Sequence, residues 1–426
     1  MKFKRFFIIF LILIYIFNIS ICYAVSDEPE ISAGAAILID SSTEKVLYSK
    51  NESQKMYPAS TTKIMTAILT LENCNLDDIV VVPYEAIASI PSGYSVAALQ
   101  PGEQLTVEQL LEVMLVHSAN DAANVLAFHI SGSLETFADL MNKKVEELGL
   151  TNTHFTNPSG KHDDNHYTTA YDLAIIMKYC MKNSEFQRLA SLKYCTIPAT
   201  NKYEERVFST TNELLIYDNR EVASNYYYPY AIAGKTGYTT EAKNCLVSVS
   251  NKDGLELICV VLSTGLYPNN LSAKFIDTKT LFEFGYNNYT LRKIREKNAI
   301  ATQIEIPNAT KETKNLDLLI ADDLTALVSY DDLDTEFDYN IELNDNLYAP
   351  ISQGQKIGTI KYNIDGVEYT SDLLASHNVE QSQFLTLIIQ IIMIILILFF
   401  LYKLLFSSNH KRKRSRKKYK KIVRIK

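Results

Sequence analysis

Hydrophobic positions recur with two different periods along this 426-residue chain, and each change of period marks an element. Gly34-Ala-Ala-Ile-Leu-Ile-Asp40 is short and apolar, Ser41-Ser-Thr-Glu44 has turn chemistry, and Lys45-Val-Leu-Tyr48 returns, which predicts a hairpin over 34–50. From Ser60 to about Leu71 the apolar residues take up helical spacing, and 106–132, 135–148 and 170–182 read as further helical segments. Two β-rich runs, Leu246–Val249 and Leu255–Leu262, flank the turn Asn251-Lys-Asp-Gly254, and a last helix covers about 272–285. Strands at both ends with helices between them predict an α/β domain: one antiparallel sheet built from both ends and flanked by helices, with a helical lobe inserted. This domain is expected over 25–290.

The texture changes near residue 290. From Thr302 to Ser371 strands alternate at period two, and Ile360, Tyr362 and Ile364 are set to face Val367 and Tyr369 across an Asp365-Gly366 turn. A small all-β domain is therefore expected over 291–375, with the polar stretch 376–383 as a linker. Phe384–Tyr402 is apolar over 19 residues with Thr386 and Gln390 as interruptions, long enough as a helix to span about 28 Å of bilayer. Lys403–Lys426 follows with twelve Lys or Arg and no acidic residue. Positive charge stays on the cytoplasmic side, so 384–402 is expected as one C-terminal transmembrane helix and 403–426 as a cytoplasmic tail, with the rest of the chain outside. At the other end, Lys2, Lys4 and Arg5 precede an apolar run from Phe6 to Phe17 and a small-residue site ending at Ala24, the pattern of a secretory signal peptide over 1–24.

Charge sharpens this picture. The whole chain is −7; without the +3 of the leader and the +12 of the tail, residues 25–402 carry −22. So acidic an exterior domain does not suit a nucleic acid or another polyanion, and the basic tail, set beside a membrane helix, reads as a topology signal that touches anionic lipid. Cys74, Cys180, Cys195, Cys245 and Cys259 remain after the leader; they are widely spaced, without a CxxC or Cys/His metal pattern, and read as small buried hydrophobes.

Three short strings carry the chemistry. Ser60-Thr-Thr-Lys63 places a serine and a lysine one turn apart at a helix start, where the helix dipole favours the alkoxide formed during attack and a desolvated Lys63 could take the serine proton. Ser118-Ala-Asn120 lies at a helix–helix turn; Ser118 could relay a proton between Lys63 and the leaving amine, and Asn120 could hold the substrate amide and Lys63 together. Lys235-Thr-Gly237, with Tyr238 after it, should be an edge strand beside the Ser60 helix. Lys235 would supply fixed charge, Thr236 a hydroxyl donor, and Gly237 room for a substrate backbone, while the N–H groups of Ser60 and Tyr238 would form an oxyanion hole. A phosphate loop is excluded, because Pro229 stands where its first glycine would be. His117, His162 and His166 lie near the motifs without metal-ligand spacing. Tyr226-Tyr-Tyr-Pro-Tyr230 is aromatic enough either to stack on sugar rings or to pack locally.

In this order the three strings are the motif set of penicillin-binding proteins and class A β-lactamases. Pro58-Ala-Ser-Thr-Thr-Lys-Ile-Met-Thr66, His117-Ser-Ala-Asn-Asp-Ala-Ala123, Asn157-Pro-Ser-Gly160, Asn165-His-Tyr-Thr-Thr169 and Lys235-Thr-Gly-Tyr-Thr239 extend the match. The chain resembles the low-molecular-weight penicillin-binding proteins, and within them the D-alanyl-D-alanine carboxypeptidases of the peptidase S11 group, over about 30–286, with 291–375 similar to the β domain that follows in that family. The resemblance implies a β-lactamase/DD-peptidase-like fold and removal of the terminal D-alanine from peptidoglycan stem peptides in cell-wall biogenesis. It implies Ser60 as acylated nucleophile, Lys63 as base, Ser118 as proton relay, Asn120 as relay and substrate contact, and Lys235 and Thr236 as carboxylate contacts. β-Lactam antibiotics would act as covalent inhibitors, and neither metal nor cofactor is needed. Where the family usually has an Arg before the last helix of the domain, this chain has Lys274, which keeps a charge but not the bidentate fork. A β-lactamase is the nearest rival, but its Glu-x-x-Leu-Asn string does not occur between Ser118 and Lys235. A non-catalytic scaffolding protein of the same fold is the other, against which the intact motifs argue.

Overall fold

A computed structural model describes residues 28–88, 90–217 and 226–422; the segment read as a signal peptide lies outside the described residues. The chain divides into two compact units, Met1–Thr290 and Leu291–Lys426.

The first unit is built on a five-stranded antiparallel sheet. In chain order its strands are β1 (Ala35–Asp40), β2 (Val46–Lys50), β3 (Ala231–Thr239), β4 (Lys243–Lys252) and β5 (Leu255–Thr264), and in space they run β2-β1-β5-β4-β3. The first hairpin is thus sewn onto the last three strands by the β1–β5 pairing, with Leu38 opposite Cys259. Both faces are covered, which is why Leu257–Leu262 reads as an unbroken apolar run and not as an alternation. Ala35, Ile37, Ile39, Val247, Val249, Ile258 and Val260 turn toward the helical lobe. Leu38 and Leu257 turn the other way, onto the helix Ala273–Asn288. Gly285 lets that helix sit close: a Cβ there would come within 2.6 Å of Leu257 Cδ1.

The lobe is centred on α1 (Lys63–Asn73), in which every residue from Lys63 to Thr70 is buried. A helix buried all round lies inside a core, so the lysine at its start has no solvent face to use. α2 (Val107–Val116) begins on a capping box, with Thr106 and Gln109 exchanging side-chain and backbone bonds, and α3 (Asn120–Ser131) ends on Gly132 in the left-handed region. Between them lies a turn of three residues, His117–Ala119, which divides the helical stretch read over 106–132. α4 (Leu134–Glu147), α5 (Ala170–Cys180) and α6 (Ser184–Ala190) complete the lobe; α6 and the small hairpin Tyr194–Ile197 with Arg206–Ser209 were too short to leave a periodic signal in the sequence. The tyrosine run at 226–230 packs locally: Tyr226 and Tyr228 are 3% exposed, and the Tyr228 ring stacks on Phe282. Of the five cysteines among the described residues four are buried and all are free thiols; Cys74 is half-buried.

The second unit holds another five-stranded antiparallel sheet, made from Ile300–Glu305, Asn315–Ile320, Val367–Ala375, Lys356–Ile364 and Tyr339–Leu343 in spatial order. The Asp365-Gly366 turn pairs Ile364 with Val367 and Tyr362 with Tyr369, and both turn residues have positive φ, as a two-residue hairpin requires. The stretch 376–383 looks like a linker by composition, yet Val379 is buried and pairs with Ile351, and Gln381 pairs with Ala309, so it is tied to the loops of this unit. Polar composition alone did not show that the backbone there finds partners. A helix then runs from Phe384 to Ile422, and within it Leu387–Leu405 is long and apolar enough to cross a membrane, with mean hydropathy 2.7. This window lies three residues later than the apolar stretch read at 384–402, and the basic stretch continues the same helix.

Candidate active site

Ser60 sits in a 3₁₀ turn, Ala59–Thr62, that leads directly into α1. The turn is stapled by its own threonines, Thr61 Oγ1 donating to Pro58 O and Thr62 Oγ1 to Ala59 O, both at 2.8 Å. Ala59 is in the left-handed region (φ 48°), a strained setting for a residue with a Cβ. Two glycines grip the turn. A Cβ on Gly160 (φ 81°) would fall 1.8 Å from Ala59 O, and one on Gly237 would fall 2.8 Å from Pro58 O and 3.1 Å from Ser60 N. Gly237 thus has a use within the fold itself: it admits the chain's own nucleophile turn.

Lys63 is 0% exposed, and its Nζ makes three bonds: to Ser60 Oγ at 2.9 Å, Asn120 Oδ1 at 2.6 Å and the Ser159 carbonyl at 2.6 Å. Burial holds its pKa well below the ordinary lysine value, and the nearby Lys235 charge lowers it further, while Asp121 acts the other way. Asn120 begins α3 and Ser118 lies in the turn before it, in the left-handed region (φ 64°). The Ser118 hydroxyl accepts from Lys235 Nζ at 2.9 Å, and Lys235 also donates to Thr236 O at 2.9 Å. Lys235 is 1% exposed and its pKa is pushed down to about 7, by burial first and then by Lys274.

An open cleft of about 500 Å³ lies over these groups, lined among others by Ser60, Ser118, Asn120, Thr236, Tyr238 and Lys274. β3 is the edge strand of the sheet, so its free rim faces the cleft, with Tyr238 64% exposed. Lys63 and Lys235 lie beneath the lining. The structure therefore brings together every residue singled out in the sequence but rearranges two of the contacts. Lys235, read as a group that meets a carboxylate, donates to Ser118 and to Thr236 O. Ser118, read as a neighbour of Lys63, is bonded to Lys235. Thr236 and Lys274 are donors that line the cleft; Lys274, in the first turn of the helix Ala273–Asn288, reaches Asn244 Oδ1 at 3.3 Å, and burial lowers its pKa as well.

Sequence reasoning missed three groups here. Thr211 lines the cleft and its hydroxyl lies 2.5 Å from that of Thr236, but it comes from an irregular segment without a motif. The Ser159 carbonyl is a backbone group, to which side-chain patterns are blind. The wall at Ser92–Ser95 is fixed by Asn120 N donating to Ser95 O at 2.9 Å. Asp121 is structural: its carboxylate accepts from the N–H groups of Ala97, Leu99 and Ala122, and burial raises its pKa. Asp277 similarly takes Ser32 N, Ala33 N and the Tyr267 hydroxyl. Among the described residues no group of three or more His, Cys, Asp or Glu is placed to hold a metal ion.

Comparison with known proteins bears on the family of the whole chain. Residues 23–265 match the family model described as D-alanyl-D-alanine carboxypeptidase, and residues 289–381 match the C-terminal domain of penicillin-binding protein 5. The D-alanyl-D-alanine carboxypeptidase DacF of Bacillus subtilis (strain 168) is 33% identical over 363 residues, 84% of this chain and 88% of that protein. DacC of Escherichia coli (strain K12), of the same description, is 30% identical over 374 residues, 84% of this chain and 87% of that protein. Among solved structures, penicillin binding protein 5 from Haemophilus influenzae superposes with a TM-score of 0.64 at 28% identity, covering 83% of this chain and 99% of that one. A peptidoglycan synthesis regulatory factor from Streptococcus pneumoniae reaches 0.69 at 23% identity over 83% of this chain and all of that one, a likeness of fold.

Proposed function

The chain belongs to the D-alanyl-D-alanine carboxypeptidase family of serine peptidases, and from that premise we propose that Ser60 is its acylated nucleophile, Lys63 the base, and the stem-peptide D-alanine carboxylate the group read by Thr236 and Lys274. The observation that carries this reading is the setting of Lys63. A neutral lysine has two N–H donors, which Asn120 Oδ1 and Ser159 O engage, and the remaining lone pair then faces Ser60 Oγ. Burial and the Lys235 charge both favour that neutral form.

The reaction follows from this placement. Ser60 Oγ attacks the carbonyl carbon of the penultimate D-alanine as its proton passes to Lys63. The N–H groups of Ser60 and Tyr238 receive the oxyanion. The C–N bond breaks, the leaving D-alanine nitrogen takes the proton held by Lys63, with the Ser118 hydroxyl at the cleft wall orienting that nitrogen, and a water later hydrolyses the Ser60 ester. Lys235, bonded to Ser118, holds that hydroxyl and adds charge from below. The same attack opens a β-lactam ring, so a fluorescent penicillin should label the protein covalently. A folded protein that takes no label and releases no D-alanine would favour the scaffolding alternative.

Recognition of a chain end gives a second test. A peptide ending in D-Ala-D-Ala-amide offers no carboxylate, and a hydrogen bond to a charged group is worth ~1.5–3 kcal/mol, roughly ten- to hundred-fold in rate. The free acid should exceed the amide in kcat/KM by that factor, and Lys274→Ala should slow the acid selectively. Equal kcat/KM for acid and amide would make an endopeptidase the better reading.

The C-terminal apolar helix Leu387–Leu405 is a candidate anchor, and the basic residues that follow it argue for a cytoplasmic end, with the active site on the extracytoplasmic side where peptidoglycan lies. Held by apolar burial and not by charge, the full chain should stay with membranes through a high-salt wash and leave only with detergent. Release by salt alone would overturn the spanning helix.

A further inference from the structure

Asn157-Pro-Ser-Gly160 and Asn165-His-Tyr-Thr-Thr169 stand out in the sequence, yet none of their side chains has a part in the chemistry described so far. In the structure this segment lies directly beneath the nucleophile. Two consecutive carbonyls dock on one face of α1: Thr66 Oγ1 donates to Pro158 O and Lys63 Nζ to Ser159 O, both at 2.6 Å. Gly160 then passes against the Ala59–Ser60 backbone, where no Cβ fits.

What fixes the direction of the Ser159 carbonyl is a single side chain. Asn157 Oδ1 accepts from Ser159 N at 3.2 Å, Ser159 Oγ at 3.2 Å, Gly160 N at 2.9 Å and Lys161 N at 3.0 Å, while its Nδ2 donates to Lys161 O at 2.9 Å. An amide oxygen that gathers three successive N–H groups curls the backbone around itself and turns the carbonyls outward. His166 ties the other end of the segment. Its Nδ1 accepts from Thr156 N at 3.0 Å, which leaves Nε2–H to donate to Thr62 Oγ1 at 2.8 Å, two residues from the nucleophile. His166 is 2% exposed, so this neutral tautomer is locked in place.

We infer that Asn157 is a positioning residue for acylation: its carboxamide shapes the 157–161 turn so that the Ser159 carbonyl holds Lys63 Nζ with its lone pair on Ser60 Oγ. This rests on the reading of Lys63 as the base. Asn157 touches neither Lys63 nor Ser60 through any bond described above, and it is not among the residues that line the cleft with Thr236 and Lys274. Its loss should therefore slow the chemical step and leave substrate binding alone.

The test uses the full-length protein in detergent and an N-acetylated tripeptide ending in D-Ala-D-Ala. Asn157→Ala removes the acceptor of the turn, and a base displaced by about an ångström costs roughly ten- to hundred-fold in rate. The expected result is a cooperative melt with kcat reduced by that factor and KM close to the parent's. Asn157→Asp keeps the acceptor oxygen and should keep most of kcat, but its added negative charge favours protonated Lys63 and moves the acidic limb of kcat/KM to higher pH. Lys235 and Asp121, the other charges that act on Lys63, are unchanged in it. Parental kcat in Asn157→Ala would overturn the inference, as would an unshifted limb in Asn157→Asp, which decides alone if the alanine variant fails to fold. Lys63→Gln separates the two levels. If it stays active, the base reading has failed; if it is inactive while both Asn157 variants behave as the parent, only the inference about Asn157 has.

Discussion

Ser60→Ala protein will fold like the parent, take no penicillin label and release no D-alanine. The side chain of Ser60 makes one described hydrogen bond, to Lys63 Nζ, and Lys63 keeps its bonds to Asn120 and Ser159 without it. A partly exposed hydroxyl with one partner is worth ~0.5–1.5 kcal/mol, well inside the stability of a domain of this size. Chemistry, by contrast, loses the only atom that can become the ester. Intact-mass spectrometry after exposure to penicillin reads the outcome directly. A folded Ser60→Ala protein that still gains the mass of the drug would place the nucleophile elsewhere.

Lys63→Gln should cost about 10²–10⁴ in kcat/KM, the usual range for a general base, and should remove the acidic limb of the pH profile. The sign follows from the causes of the shift. Burial and the Lys235 charge disfavour ammonium at Lys63, so the residue becomes a base at a pH well below that of a free lysine. Below that point it is protonated and cannot accept from Ser60. Lys235→Gln removes one of the two influences and should move the acidic limb to higher pH; an unmoved limb would mean that the two lysines are not coupled. The same shifts act on stability. Lys235 titrates at about 7 when folded and near 10.5 when unfolded, so between those values the unfolded chain holds more protons and raising the pH stabilises the fold. A Tm that falls from pH 7 to pH 9 would contradict this contribution unless other groups outweigh it, which comparison with Lys235→Gln resolves.

Much of this was legible in one sequence because the relevant signals are local. Ser60 and Lys63 are one turn apart, Ser118 and Asn120 share a helix–helix turn, and Lys235–Tyr238 is a strand; each string reports its element through its own periodicity and turn residues. The Asp365-Gly366 hairpin was readable for the same reason, since the turn type demands those residues.

What the sequence could not supply depends on neighbours from far along the chain. That Lys235 lies buried against Ser118, 117 positions away, while Thr236 and Lys274 line the cleft, is settled by packing between distant parts of the chain. The Ser159 carbonyl leaves no trace in a side-chain pattern, because every residue has a carbonyl and only the fold decides where one points. Val379, in a stretch polar enough to pass for a linker, is buried because Ile351 pairs with it. The sequence by itself thus determined which groups could do the chemistry and on what elements they sit. The tertiary structure alone decided which of them are dry and which touch, because desolvation and hydrogen bonding depend on the distance between atoms and not on their order along the chain.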